Sequence, residues 1–201
     1  MRALLLTAGL LLVAAPVLGA AEKKTEQSEA VAAIKKLKGH VEVDDKASGK
    51  PVVLVSLAGT KVTDKGLAHL KGLKQLSILI LLNTPIGDAG LAHLKGLTHL
   101  QRLYLNSTRV TDAGLKHLKG LTELEDLDLR TAKVTDAGLA HLKGLKSLRK
   151  LGLYGTDVTD AGLKHLKGLT KLQALGLIGT DVTDAGAKDL QKALPKLKIE
   201  R

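Results

Sequence analysis

A segment of 24 residues recurs along this chain without insertion, and no other feature constrains its fold as strongly. The stretch Thr60-Lys61-Val62-Thr63-Asp64-Lys65-Gly66-Leu67 is echoed from Thr84, Thr108, Ala132, Thr156 and Thr180. Asp64, Asp88, Asp112, Asp136, Asp160 and Asp184 keep one register, and Gly66, Gly90, Gly114, Gly138, Gly162 and Gly186 keep another. Self-similarity at a fixed period marks a stack of supersecondary units, none of which can bury its apolar face alone.

Within each unit the spacing L-x-x-L-x-L occurs, as at Leu100, Leu103 and Leu105 and again at Leu148, Leu151 and Leu153; its earliest copy is Val52, Val55 and Leu57. Period-two alternation points Leu103 and Leu105 inward and leaves Arg102, Tyr104 and Asn106 outward. Leu115, Leu118 and Leu121 then repeat at helical spacing. Thr111-Asp112 offers an N-cap oxygen and a negative charge at the helix start, and Lys119-Gly120 a positive charge and a left-handed stop at its end. Each unit is therefore expected to be strand, loop, helix and turn. The expected fold is an α/β right-handed solenoid, with a curved parallel sheet inside and short helices outside.

These V-T-D-A-G-L-x-x-L-x-x-L units resemble bacterial, planctomycete-type leucine-rich-repeat proteins, relatives of the cysteine-containing class found in F-box substrate receptors. The resemblance covers about residues 51–199. A Cys is common in that class at the turn after the strand, where this chain carries Thr60, Thr84, Thr108, Thr156 and Thr180. A hydroxyl there is expected to bond the turn backbone of the next coil. The resemblance implies a substrate-receptor role as one alternative, although no F-box-like segment precedes the repeats.

Of the 201 residues 44% are hydrophobic, yet there is no Phe, Trp or Cys and there are only two Tyr. Disulfides and thiolate metal sites are thereby excluded, and base-stacking platforms for single-stranded nucleic acid are disfavoured. Part of the aliphatic excess lies at the start, where Met1-Arg2 precedes an apolar run to Ala15 with small residues at Gly19, Ala20 and Ala21. That pattern reads as a signal peptide over 1–21, with cleavage after Ala21 or, alternatively, after Gly19. An uncleaved anchor is the other reading, but the run is shorter than the ~20 residues of a membrane span. No transmembrane segment is expected after cleavage. Residues 22–50 read as a polar lead, Glu22 to Gln27, followed by a capping helix from Ser28 to Leu37 that Gly39 ends, with Val31, Ile34 and Leu37 on one face. Val41 and Val43 suggest an edge strand. The repeats occupy 51–186, and 187–201 is read as a C-terminal cap closed by Leu194, Pro195, Leu197 and Ile199.

Every candidate for chemistry belongs to a ladder. His69, His93, His117, His141 and His165 form a column without a distinguished position, whereas a metal centre needs several converging ligands. The Asp column lacks the glycine-rich repeat of calcium β-rolls and has a capping explanation. No isolated Ser, His and carboxylate set suggests catalysis, so neither an enzyme nor a cofactor is expected. Lys71, Lys95, Lys119, Lys143 and Lys167 form a basic stripe, whose plain meaning is dipole compensation and whose sharper one is attraction to anionic polymers or lipids. The formal net charge is +11.

The variable positions lie on the outward side of the strands. In order these include Ile78, Ile80 and Leu82; Arg102, Tyr104 and Asn106; Asp126, Asp128 and Arg130; Lys150 and Tyr154. An apolar patch meets a charged centre holding both tyrosines, a composition suited to partner binding on a concave solenoid face. The alternative is that the apolar rows are covered by the N-terminal segment. The expectation is an exported monomeric protein, periplasmic, envelope-bound or secreted, that binds a protein or polymer through these residues and does not bind nucleic acid. A structural envelope role, with a basic convex face on anionic polymers or lipids, is the alternative.

Overall fold

Stacking identical strands puts each leucine beside its counterpart one repeat away, and the computed structural model, which describes residues 17–201 (side chains from residue 26), realises this pairing. Eight strands form one sheet in chain order: β1 (His40–Val43), β2 (Val52–Ser56), β3 (Ile78–Ile80), β4 (Arg102–Tyr104), β5 (Asp126–Asp128), β6 (Lys150–Gly152), β7 (Ala174–Gly176) and β8 (Lys198–Glu200). From β2 onward all neighbours are parallel and the register advances by one repeat, so Leu79, Leu103, Leu127, Leu151, Leu175 and Ile199 form a row. β1 lies antiparallel to β2 at the edge. One coil's interior, Leu100, Leu103, Leu105, Val110, Leu115, Leu118 and Leu121, is fully buried. A narrow interior with neighbouring layers about 4.8 Å apart is filled by Leu with Val and Ile at a few fixed positions.

The return segments are shorter than the periodicity suggests. Each repeat from the second to the fifth has a single α-turn, α2 (Asp88–Leu91), α3 (Asp112–Leu115), α4 (Asp136–Leu139) or α5 (Asp160–Leu163), if α1 is the N-terminal helix Val17–Lys36. A 3-10 turn follows each of them, and the first coil is 3-10 throughout, Asp64–Gly72. Thr111, Thr135 and Thr159 cap these turns, their hydroxyls accepting from Ala113, Ala137 and Ala161. A longer helix, α6 (Asp184–Ala193), buries Ala187 and Leu190.

The aspartate column does more than face a helix dipole. Asp112 reaches the next coil, where Oδ1 accepts from the Thr135 N–H at 2.8 Å and Oδ2 from the Thr135 hydroxyl at 2.7 Å. Asp88 on Thr111, Asp136 on Thr159 and Asp160 on Thr183 repeat the pair. Asp64 makes only the backbone bond, because Gly87 stands where the threonine would be. Arg201 supplies the donor to Asp184. The carboxylate also explains the glycine column: a Cβ on Gly138 would intrude on Asp112, and the same holds for Gly114 on Asp88 and Gly162 on Asp136. Hydrogen bonds from Thr183 hold the Asp160 carboxyl below its ordinary range, so this contribution is present at neutral pH and is lost as pH falls through the lowered value.

Three local expectations are corrected. The threonine hydroxyls of the strand-exit turn stay within their own coil: Thr108 donates to the Leu105 carbonyl at 2.6 Å, and Thr60, Thr84, Thr156 and Thr180 do likewise three residues back. The carbonyl three residues back closes a local turn that each hydroxyl reaches without leaving its coil. The left-handed position is not Gly120 but the strand exit, where Gly59, Asn83, Ser107, Thr131, Gly155 and Gly179 have φ between 54° and 71°. The α1 helix begins before Ser28 and takes in Glu22 to Gln27, since nothing from Ala20 to Glu29 breaks a helix; at its end Lys38, not Gly39, takes the left-handed turn. Of the stretch read as a signal peptide, residues 1–16 lie outside the described residues. Gln27 ties α1 to the first coil by donating to the Lys50 carbonyl and accepting from the Val52 N–H, both at 3.1 Å. Ala30 and Ile34 are buried beneath it.

Gly138→Ala is expected to cost about 2 kcal/mol, and most of that cost is expected to vanish in an Asp112→Ala background, as read by denaturant melts of the four proteins of the cycle. Additive losses would show that the carboxylate is not what excludes a Cβ. Thr131, a β-branched residue at φ 55°, carries strain that its equivalents Gly155 and Gly179 avoid. Thr131→Gly is expected to raise stability by about 1 kcal/mol, measured as a higher denaturant midpoint at unchanged slope.

Candidate functional site

The sheet register places the variable side chains in three concave columns. The first holds Leu54, Ile78, Arg102, Asp126, Lys150, Ala174 and Lys198; the second Ser56, Ile80, Tyr104, Asp128, Gly152, Gly176 and Glu200. Just beyond the strands, Leu82, Asn106, Arg130, Tyr154 and Ile178 follow one another at the same interval. These three columns change from strand to strand, whereas the leucine, aspartate and glycine columns repeat.

Asp128 and Arg130 form the rigid element. Asp128 is only 6% exposed, and both its oxygens accept from the Arg130 guanidinium, Nη2 at 2.6 Å and Nε at 2.9 Å, with the Arg130 backbone N–H at 3.0 Å. Bidentate charge-assisted pairing of this kind fixes direction as well as distance. The bond to Asp128 raises the Arg130 pKa. The guanidinium lies over the Tyr154 ring, 5.8 Å from its centroid, in cation–π contact.

Small residues make the floor. The Tyr154 ring covers Gly176, where a Cβ would collide with it, and its hydroxyl donates to Glu200. A Cβ on Gly152 would press on Asp128 Oδ1 at 3.0 Å. The bond to Glu200 raises the Tyr154 pKa, because the carboxylate favours the protonated phenol. On the other side Tyr104 donates to Asp126 at 3.3 Å, and its pKa is raised first by burial and then by Asp126. Lys150 lies exposed at the rim and carries no ion pair among the described residues. The outcome is an open groove of about 240 Å³ with a tyrosine at either side, each phenol on a carboxylate, Asp126 or Glu200, and with Lys150 at the rim.

The structure brings Tyr104, Asp126, Asp128, Arg130, Lys150 and Tyr154 to that groove. Arg102 and Asn106 share the face but do not line it, and the Asn106 Oδ1 is buried without a partner among the described residues. One expectation changes: Asp128 is not a free anchor, since its carboxylate is buried in holding Arg130. Ile78, Ile80 and Leu82 lie on the same face, half-buried like Tyr104 and Tyr154, but outside the groove. Sequence reading places Ala174 and Gly176 on the outward side without counting them among the binding residues, and it misses Glu200 altogether. The period carries the signal: Leu197 and Ile199 continue the strand phase, which puts Glu200 one repeat beyond Gly176. Along the helical side His69 is exposed and the other column histidines are half-buried; among the described residues no three His, Asp or Glu side chains converge as metal ligands would.

The leucine rich repeat family pattern matches residues 98–158. Among solved structures, internalin C2 of Listeria monocytogenes superposes with a TM-score of 0.59 at 23% identity, covering 86% of this chain and 81% of that one. A leucine-rich-repeat protein of Leptospira interrogans superposes with a TM-score of 0.55 at 25% identity; 67% of this chain is covered, spanning 33% of that protein. No curated protein matches the chain in sequence. With its parallel sheet and short return helices, the molecule is a leucine-rich-repeat solenoid.

In a Tyr104→Phe background Tyr154 is the sole phenol, so its ionisation is readable by ultraviolet absorbance. Glu200→Gln is expected to move that titration down, toward the ordinary value near 10. An unshifted titration would show that Glu200 does not receive the Tyr154 hydroxyl in solution.

Proposed function

We propose that the chain is an exported, non-enzymatic binding protein that recognises a protein partner through the concave sheet. The observation carrying this reading is the gathering of both tyrosines with unrepeated charged side chains in one groove of the concave face. Structural columns need the same residue in every coil, whereas this face changes with each strand and presents aromatic, cationic and acidic groups together. Rigid tyrosines and a pre-oriented arginine lose little entropy on contact, which is the economy of interface anchors. The groove is shallow and open, suited to an extended segment rather than to an enclosed small molecule.

Export is supported by the charged start, apolar run and small residues of 1–21, and processing after Ala21 would begin the mature chain at Glu22. Among the described residues no helix is long and apolar enough to cross a membrane. On this reading 22–50 and 187–201 shield the two ends of the repeats. Kinship with the bacterial and cysteine-containing classes rests on the V-T-D-A-G-L units.

The test is a crosslinking pull-down from the native envelope with the parent chain and with Tyr104→Ala/Asp126→Ala. Both residues are at the groove, and neither holds the Asp128–Arg130 pair. Partner recovery is expected to fall at least tenfold with an unchanged far-ultraviolet circular dichroism spectrum, matching the loss of two anchors of about 1 kcal/mol or more each. Full recovery would place recognition elsewhere.

A further inference from the structure

The excess positive charge of the chain does not reside on the concave sheet. There Arg102, Arg130, Lys150 and Lys198 stand among Asp126, Asp128 and Glu200, a near balance. With a formal net charge of +11, the imbalance lies on the outside, and most regularly in the column that follows each 3-10 turn. Lys95, Lys119 and Lys143 directly follow Ala92–Leu94, Lys116–Leu118 and Ala140–Leu142, with φ of −50°, −52° and −51°. Identical backbone positions set their side chains in single file, one per coil, at intervals wider than the ~4.8 Å between the strands of the inner sheet.

At two places, beside Gly96 and Gly168, a further lysine joins the file. Lys74 Nζ lies 3.1 Å from the place of a Cβ on Gly96, and Lys146 Nζ is equally close at Gly168, where it also donates to the carbonyl at 3.0 Å. Acids occur on this side only at the margins or already engaged. Glu26 and Glu29 of α1 line a cavity with His69, Lys71 and Lys74 at the first coil, Lys167 pairs with Asp189 at 2.8 Å, and Glu123 meets His99 at 3.2 Å. Between these margins Lys95, Lys119 and Lys143 carry no ion pair among the described residues. The field is felt locally: the His117 pKa is lowered first by burial and next by Lys95 and Lys116.

We propose that this lysine file is a second binding surface, which takes a linear anionic polymer laid across the coils. Evenly spaced cations with neither pocket nor aromatic neighbour recognise charge at intervals rather than shape, and a flexible polyanion follows a curved outer face that a flat bilayer meets at few points. A lipid surface would also be met by apolar side chains entering it. The large apolar side chains exposed among the described residues are Val43 and Ile178, which lie on the edge strand β1 and the concave side. This surface does not depend on the concave groove, and either can fail without the other.

Heparin is a suitable probe, measured against the processed chain by titration at about 0.15 M salt, where the Debye length is near 8 Å. Lys95→Gln/Lys119→Gln/Lys143→Gln is expected to weaken binding roughly tenfold or more and to flatten its salt dependence. The charge-matched control Lys46→Gln/Lys61→Gln/Lys133→Gln, all exposed positions, is expected to change it less than about twofold. The arginine version of the file variant is expected to bind as the parent does, which separates charge from any damage to the fold. Equal weakening in file variant and control would reduce the effect to net charge and overturn the proposal. File-dependent capture of phosphatidylglycerol vesicles without heparin binding would overturn it in favour of a lipid surface.

Discussion

The contact on which the architecture depends is a carboxylate held between coils. Asp112 closes two hydrogen bonds on Thr135 of the next repeat, and the oxygen that makes one of them occupies the space a side chain on Gly138 would need. Aspartate, threonine and glycine at these positions are one decision, not three. Leucines supply most of the burial, but oily layers alone tolerate sliding. The directional bonds on the helical side, together with strand pairing on the other, lock the rotation of each coil against its neighbour.

The fold was legible because the period is explicit: residues 24 apart must be equivalent, and L-x-x-L-x-L settles which of them turn inward. The strands, the buried leucines and the capping threonines Thr111, Thr135 and Thr159 follow directly. What sequence reasoning assigned incorrectly depends on the third dimension. Local capping accounts for Thr-Asp without looking beyond one repeat, so sequence alone pairs Asp112 with its own helix. Glycine after a helix end suggests a left-handed Gly120, yet the left-handed turn falls where Asn83, Ser107 and Thr131 stand. A column of mixed residues conceals a shared backbone conformation.

The groove was partly legible for the same reason. Alternation identified Tyr104, Asp126, Arg130 and Tyr154 as facing one side. It carries no information about which carboxylate is consumed internally, and so Asp128 was ranked with free anchors although Arg130 covers it. Glycine at 152 and 176 offers no side chain for alternation to interpret. In three dimensions those positions let Tyr154 lie flat and give the groove its floor. The inner face is variable and nearly neutral, whereas the outer face carries a repeated lysine column, so the two carry different kinds of information.

One irregularity in the carboxylate ladder bears on the order in which the molecule comes apart. Between the first and second coils Gly87 leaves Asp64 with a single bond in place of two, and the first coil is wound entirely as a 3-10 helix without a side-chain cap. In a linear array whose cooperativity is transmitted only between adjacent layers, the weakest junction sets the boundary of the first unit to detach. That boundary separates α1, β1 and the first coil from the coils that carry the groove. Partial opening from this end would leave the recognition surface standing while the Gln27 clamp and the first layer unravelled.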